Sequence, residues 1–277
     1  MSSGNIHNLR PNLKSKGFHL YKGDFAERGI LRSVLPATDV VVHLAALTSV
    51  PYSVLHPGIT RRVNAERTAT LLSACARYSV RRFVLASTAA VYGRRPPPLV
   101  ETMTPDPLSP YAASKVSAEA SVRSHTSPSG LESVILRFMN VYGTGCSASS
   151  EGVIPSFLRA VREEAPLVLY GRGSQSRDFV HVSDVVDSIT LAIHTSACQA
   201  EVFNIGTGRP TTIKGLVDLF RDLLPSKGIR VKHLPPRTGD VKQSYADVSK
   251  AARVLGFTSH VKLRAGLADL FKREKLV

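Results

Sequence analysis

The segment DVVVHLAA (39–46) is apolar at nearly every position, where a strand with one wet face would be apolar at every second one. Near-continuous apolarity is what a strand needs when protein covers both its faces, as in a parallel sheet sandwiched between helices. Three further runs share this character: FHLY (18–21), RRFVLAS (81–87) and ESVILRF (132–138). Helical stretches are expected between them, at about 25–34, 62–79 and 110–125. Strand, helix, strand at this spacing makes βαβ crossovers, so the fold class is α/β with a doubly wound parallel sheet.

After about residue 140 the rhythm changes. A Gly/Ser-rich loop, NVYGTGCSASSEG, precedes a helix near 153–164, a short strand LVLY, and GRGSQSRDFVHVSDVV, in which a strand feeds a helix. Then come EVFNIGTG, a helix near 212–224, IRVKHLPPRTGD and two short helices. The expected organisation is a cofactor domain over 1–140, to which 178–203 returns, and a smaller lobe formed mainly by 141–277. No internal repeat or low-complexity tract interrupts it.

The 277 residues suffice for one large domain or two smaller ones, and 43% apolar with 21% charged is an ordinary soluble composition. No stretch approaches the roughly 18 apolar residues of a membrane span, so no membrane partner is expected. Cys75, Cys146 and Cys198 form no CxxC pair and the nine histidines lack ligand spacing, so no metal is expected. With no signal peptide at the start, reduced thiols in the cytoplasm are the expected state. The net charge of +15 could serve nucleic acid or anionic small molecules. Its basic residues come as pairs, such as Arg61-Arg62, Arg81-Arg82 and Arg94-Arg95, without interleaved aromatics; no nucleic-acid partner is expected.

Chemistry is concentrated in SPYAASKVSAEA (109–120), where Tyr111 and Lys115 stand four apart on a helix and share a face. An ammonium one turn from a phenol favours the phenolate, and is expected to draw it from ~10 toward neutrality, where it can act as a base. The strand LASTAAVYG (85–93) ends in hydroxyls, and the carboxyl ends of strands in open α/β sheets face the ligand crevice. Ser87 and Thr88 are therefore aimed where Tyr111 is.

These residues, with VVHLAALTSVPYSV, PLSPYAASK, VILRFMNVYG, LVLYGRGSQSRDFVHVSDVV, FNIGTGRPTTI and YADVSKAARVLGF, resemble the extended short-chain dehydrogenase/reductases. The resemblance is to their NAD-dependent nucleotide-sugar epimerase/dehydratase branch, typified by UDP-glucose 4-epimerase. It covers essentially the whole chain and implies a Rossmann-like domain, NAD as cofactor, a UDP-hexose as substrate, and a homodimer through the helices near 62–79 and 110–125. It also implies roles. Tyr111 would be the base, Lys115 would hold the nicotinamide ribose, and Thr88 would bond the substrate oxygen. Asp24, Leu44, Ala45, Ala46, Asn64, Ser87 and Phe138 would meet the cofactor. Asn140, Val153, Tyr170, Arg177, Arg237, Asp240 and Ser244 would line the nucleotide-sugar site, with Ser244 setting the room for the sugar.

Dehydratases of this branch carry an Asp-Glu pair after the catalytic hydroxyl, since eliminating water needs a further acid and base. Here Ala89 and Ala90 stand there, which favours epimerisation through a 4-keto intermediate over dehydration or reduction. Family members also begin with a strand, a Gly-x-x-Gly-x-x-Gly turn, a helix and a second strand, about 35 residues on the scale of a βαβ unit, ahead of the segment matching SSGNIHNL. A start site placed too late is the favoured reading. A shortened, catalytically dead nucleotide-sugar-binding protein is the alternative from another class. Without that turn NAD retention is expected to be weak, and FHLY to have no neighbouring strand.

Overall fold

The structure is a computed structural model and describes residues 6–145, 151–196, 199–236 and 239–277. In chain order its strands are β1 (Val40–His43), β2 (Arg82–Thr88), β3 (Glu132–Phe138), β4 (Asn140–Tyr142), β5 (Leu167–Tyr170), β6 (Ser176–His181), β7 (Gln199–Ile205), β8 (Pro210–Thr212), β9 (Val231–Leu234) and β10 (Gln243–Ser244). The helices are α1 (Arg28–Val34), α2 (Val50–Leu55), α3 (Pro57–Arg61), α4 (Arg67–Arg77), α5 (Pro110–Ser129), α6 (Val153–Arg162), α7 (Val182–His194), α8 (Ile213–Leu223) and α9 (Leu263–Arg273).

β1, β2, β3 and β7 form a parallel sheet in that order. The side chains of β2 show why its sequence does not alternate. Phe83 and Leu85 pack against Leu71, Leu72 and Cys75 of α4 and Ala118 and Val122 of α5. Val84, on the opposite face, joins Val134, Leu136, Phe203 and α7 residues Val185 and Ala192. Both faces are covered, so both must be apolar.

FHLY forms no strand. Residues 18–21 are coil, Leu20 and Tyr21 are exposed, and β1 is an edge of the described sheet. β-propensity alone does not make a strand; its N–H and C=O groups need a neighbouring ladder. The helix expected over 62–79 begins earlier, at Pro57, and is interrupted by a π-helical turn, Arg62–Glu66, which buries Asn64 and Ala65.

The second lobe carries a sheet of order β10-β6-β4, with β8 antiparallel on β6, and the pair β5-β9. Its core is a run of edge-to-face rings, Phe157 of α6, Phe220 of α8 and Phe271 of α9. Within 178–203, α7 covers the main sheet and β7 forms its edge, while Asp178–His181 lies in β6 of the second sheet.

The turn leaving β2 positions everything after it. Gly93 has φ of 59°, and a Cβ there would stand 1.7 Å from the Asp106 carbonyl oxygen. Gly93→Ala is expected to cost more than about 2 kcal/mol through forced backbone displacement. Urea denaturation checks this: the midpoint should fall with the slope unchanged, and an unshifted midpoint contradicts the clash.

Candidate functional site

The site is built where β2 ends and α5 begins. Thr88, the last residue of β2, caps the 3-10 turn Ala89–Tyr92 by accepting from Ala90 N at 3.2 Å. Ser109 caps α5, its hydroxyl accepting from Ala112 N at 3.1 Å, and Pro110 supplies the first helical residue. This start places Tyr111 in the first turn of α5 and Lys115 one turn on, with the helix N-terminus favouring negative charge near the phenol.

Burial holds the Tyr111 phenol above its ordinary range, and a hydrogen bond from the Thr88 hydroxyl pulls the other way. Burial draws the Lys115 ammonium down to about 8, opposed by the Glu119 carboxylate. Lys115 Nζ donates to the Ala86 carbonyl at 2.5 Å. The lowering of Tyr111 by Lys115 expected from their spacing is therefore not a property of the folded chain by itself. Desolvation dominates, and the hydroxyl opposing it belongs to Thr88.

Around this pair several expected cofactor contacts are engaged within the chain. Asn64 clamps Leu47, its Oδ1 accepting from Leu47 N at 2.8 Å and its Nδ2 donating to Leu47 O at 2.9 Å, and also donates to Ser114 at 3.0 Å. Asn64 thereby fixes the loop after β1 against α5. Ser87 donates to Glu119 at 2.6 Å. The Asp24 carboxylate pairs with Arg67 and accepts from Ala26 N. Leu44 and Ala45 are exposed and Ala46 half-buried at the end of β1, and Phe138, half-buried, ends β3. The ends of β1, β2 and β3 thus line one crevice edge.

On the other lobe, Arg177 of β6 binds Asp240 at 2.7 Å and donates to Val241 O at 2.7 Å. Ser244 of β10 lies in register with Arg177. Tyr170 and Asp240 line a cavity of about 1060 Å³ together with Arg94, Arg172, Pro236 and Lys242. Asn140 opens β4 and donates to Asp178 O at 3.2 Å, while Val153 begins α6. Arg237, Cys146 and Cys198 lie outside the described residues.

Three charged residues escape the motif reading. Glu119 and Arg137 form a fully buried bidentate pair behind Lys115, with Nε–Oε1 2.9 Å and Nη2–Oε2 2.7 Å. An arginine inside the apolar run ESVILRF was the available signal, since a buried charge demands a partner. Asp178 accepts from Thr207 N at 2.9 Å, Thr207 Oγ1 at 2.6 Å and Gly208 N at 2.9 Å. The GTG of 206–208 is thus bound to a carboxylate of its own chain.

Residues 2–206 match the model of the NAD dependent epimerase/dehydratase family, and the chain belongs to that family. The UDP-glucuronate 4-epimerase of Thermodesulfobacterium geofontis is 30% identical over 258 residues, covering 92% of this chain and 78% of that protein. The solved UDP-N-acetylglucosamine 4-epimerase of Methanobrevibacter ruminantium, in complex with UDP-N-acetylmuramic acid, superposes with a TM-score of 0.92 at 35% identity, covering 98% of this chain and 87% of that one. A dTDP-glucose 4,6-dehydratase of Streptomyces venezuelae, solved with NAD bound, gives 0.91 at 29% identity over 99% of this chain and 85% of its own.

The family is NAD-dependent, and the residues at the crevice fit the nicotinamide-ribose half of that cofactor. A half-buried phenol and a buried ammonium stand one turn apart on α5, and Leu44 and Ala45 are exposed at the end of β1. A glycine-rich phosphate turn between a first strand and its helix is not among the described residues.

Proposed function

We propose that the chain interconverts the C4 epimers of a UDP-hexose through a 4-keto intermediate. The observation that carries the reading is the Thr88–Tyr111 pair beside Lys115, followed by two methyl side chains, Ala89 and Ala90. Tyr111 Oη, in the phenolate form that the positive charge of oxidised NAD and the Lys115 ammonium would favour against burial, would take the proton of the sugar 4-hydroxyl, and the Thr88 hydroxyl, bonded to that phenol, orients the same oxygen. Bound NAD supplies the acceptor that takes the C4 hydride and returns it. Ala89 and Ala90 can move no proton, so the loss of water that a dehydratase needs has no acid or base there.

Arg177, Asp240, Asn140, Val153, Tyr170 and Ser244, with Arg237, hold the nucleotide diphosphate and sugar. Arg94, Arg172 and Lys242 line the cavity without an ion-pair partner among the described residues, which suits an anionic ligand. Lys115 and Tyr111 hold the cofactor's nicotinamide ribose, beside Leu44, Ala45, Ala46 and Phe138. Asp24, Asn64 and Ser87 complete the proposed contacts, though their side chains first serve the chain's own packing.

The test supplies purified protein and NAD with UDP-glucose, UDP-N-acetylglucosamine and UDP-glucuronate separately, and resolves products by NMR. A C4 epimer from at least one is expected. A 4-keto-6-deoxy product overturns the choice against dehydration; no product with any sugar, alongside measurable UDP-sugar binding, leaves a binding protein.

The proposal includes a homodimer across α4 and α5. Support comes from the family resemblance and from the small exposed side chains on these helices: Thr70, Ser73, Ala113, Ser117, Ala120 and Ser124. Sedimentation equilibrium should give twice the chain mass, and Ser117→Arg should shift it toward the monomer; a monomeric parent contradicts the interface. No described helix is long and apolar enough to cross a membrane. A cytoplasmic location, supported by the free Cys75 in the core, would be checked by cell fractionation, with protein in a membrane or secreted fraction against it.

A further inference from the structure

Glu119 lies one turn beyond Lys115 on α5, and its side chain is 0% exposed. The two side chains grip consecutive residues of β2: Lys115 Nζ donates to the Ala86 carbonyl, and Glu119 Oε1 accepts from the Ser87 hydroxyl at 2.6 Å. Arg137 on β3 locks the carboxylate through both oxygens, and Arg123 stands 3.6 Å from Oε2 at the outer side. Arg137 is itself fixed, 4.8 Å above the Tyr92 ring, with Nη1 3.3 Å from the Glu101 carbonyl. Tyr92 in turn donates to Asn204 at 2.6 Å. A carboxylate held on every side cannot swing away from the helix it shares with Lys115.

We propose that Glu119 is a positioning residue for the reaction: its buried carboxylate keeps Lys115 charged and aimed along β2, with Arg137 as the counter-charge that keeps the carboxylate in place. This inference rests on the assignment of Lys115 to the cofactor site. Lys115 needs such help because burial alone opposes its charge, and Glu119 acts against that burial. The other groups facing it supply none. Tyr111 on its own helix is kept neutral by burial, as is Tyr92 in the turn after β2. His43 of β1 is pushed down to about 3, and so is uncharged at neutral pH. Arg137 is engaged by Glu119. From the π-helical turn Asn64 faces α5 with an amide, while Arg61, Arg62 and Glu66 face solvent and Arg67 is drawn to Asp24. Glu132 on β3 is taken by Arg82, and Glu201 on β7 by Lys250.

The experiment reads the proton of Lys115 directly from stability and needs neither cofactor nor sugar, so its failure is distinct from failure of the epimerase assignment. A lysine held near 8 in the fold and at its ordinary value of 10.5 when unfolded makes stability rise with pH between those values, because the unfolded chain binds the extra proton. Urea denaturation is measured from pH 6 to 10.5 for the parent, Glu119→Gln and Glu119→Gln/Arg137→Met, each paired with its Lys115→Met counterpart. The difference within each pair isolates Lys115. In the parent its rise is expected to begin near pH 8. Without Glu119 it should begin about one pH unit lower, the scale of a close opposite charge. Where Glu119→Gln leaves Arg137 unpaired and fails to fold, the double variant, which removes both charges, carries the comparison. A merely structural Glu119 lowers stability at every pH and leaves the onset where it was; that outcome overturns the proposal.

Discussion

Tyr111→Phe is expected to lower the turnover of C4 epimerisation by about 100- to 10,000-fold, the range that a positioned proton-transfer group contributes. The phenyl ring keeps the packing of a half-buried side chain at the start of α5 and removes only the oxygen bonded to Thr88. Affinity for the UDP-sugar should stay within about threefold, since Arg177, proposed to hold the diphosphate, lies on β6 of the other lobe and would bind ground and transition states alike. Thr88→Val should act in the same direction and less strongly. It removes a hydrogen bond that pulls the phenol down against burial, so the phenolate becomes harder to form. Steady-state kinetics with saturating NAD separate the cases. Retained turnover with a weakened KM would place Tyr111 in binding, and unchanged kinetics would remove it from the reaction.

What could be read from the sequence follows from what sequence patterns encode. The runs at 39–46, 81–87 and 132–138 announce strands covered on both faces; β2 and β3 are buried along most of their length, while β1, at the edge of the described sheet, is half-buried at Val40, Val41 and Val42. FHLY carries the same apolar character, yet a pattern records what a segment could bury, not whether a partner strand lies beside it. Spacing along α5 and the hydroxyls ending β2 bring Thr88, Tyr111 and Lys115 into view, because helix periodicity and strand ends are local geometry. Proton affinity is not local. The four-residue spacing shows an ammonium near a phenol, while the desolvation that outweighs it comes from surrounding elements distant in sequence. The same limit hides the π-helical turn that buries Asn64, and the partners that occupy Asp24 and Ser87. Arg137 was legible only as an anomaly, a charge inside the apolar part of a strand, and its partner sits 18 residues upstream on α5.

That pair sets the second large expectation. Arg137→Leu should destabilise the chain by about 3–5 kcal/mol, because it leaves the Glu119 carboxylate buried without its counter-charge. The exposures decide the magnitude: at 1% and 0% for the two side chains, neither charge can be solvated where it stands. Native domains hold only about 5–15 kcal/mol in total, so this single change removes a large share of it, and a thermal melt should shift down by about 10 °C or more. The double variant Glu119→Gln/Arg137→Met should lose far less than the single one, since removing both charges also removes both desolvation costs. The amide introduced in place of the carboxylate would retain an acceptor for the Ser87 hydroxyl, and the thioether chain introduced on β3 would fill the place of the arginine stem over Tyr92. Melts of the two variants in parallel decide the point. Equal losses would mean that the pair contributes net attraction well beyond its desolvation cost, while a small loss in the double variant means that the pair serves charge and orientation at Lys115 more than it serves stability.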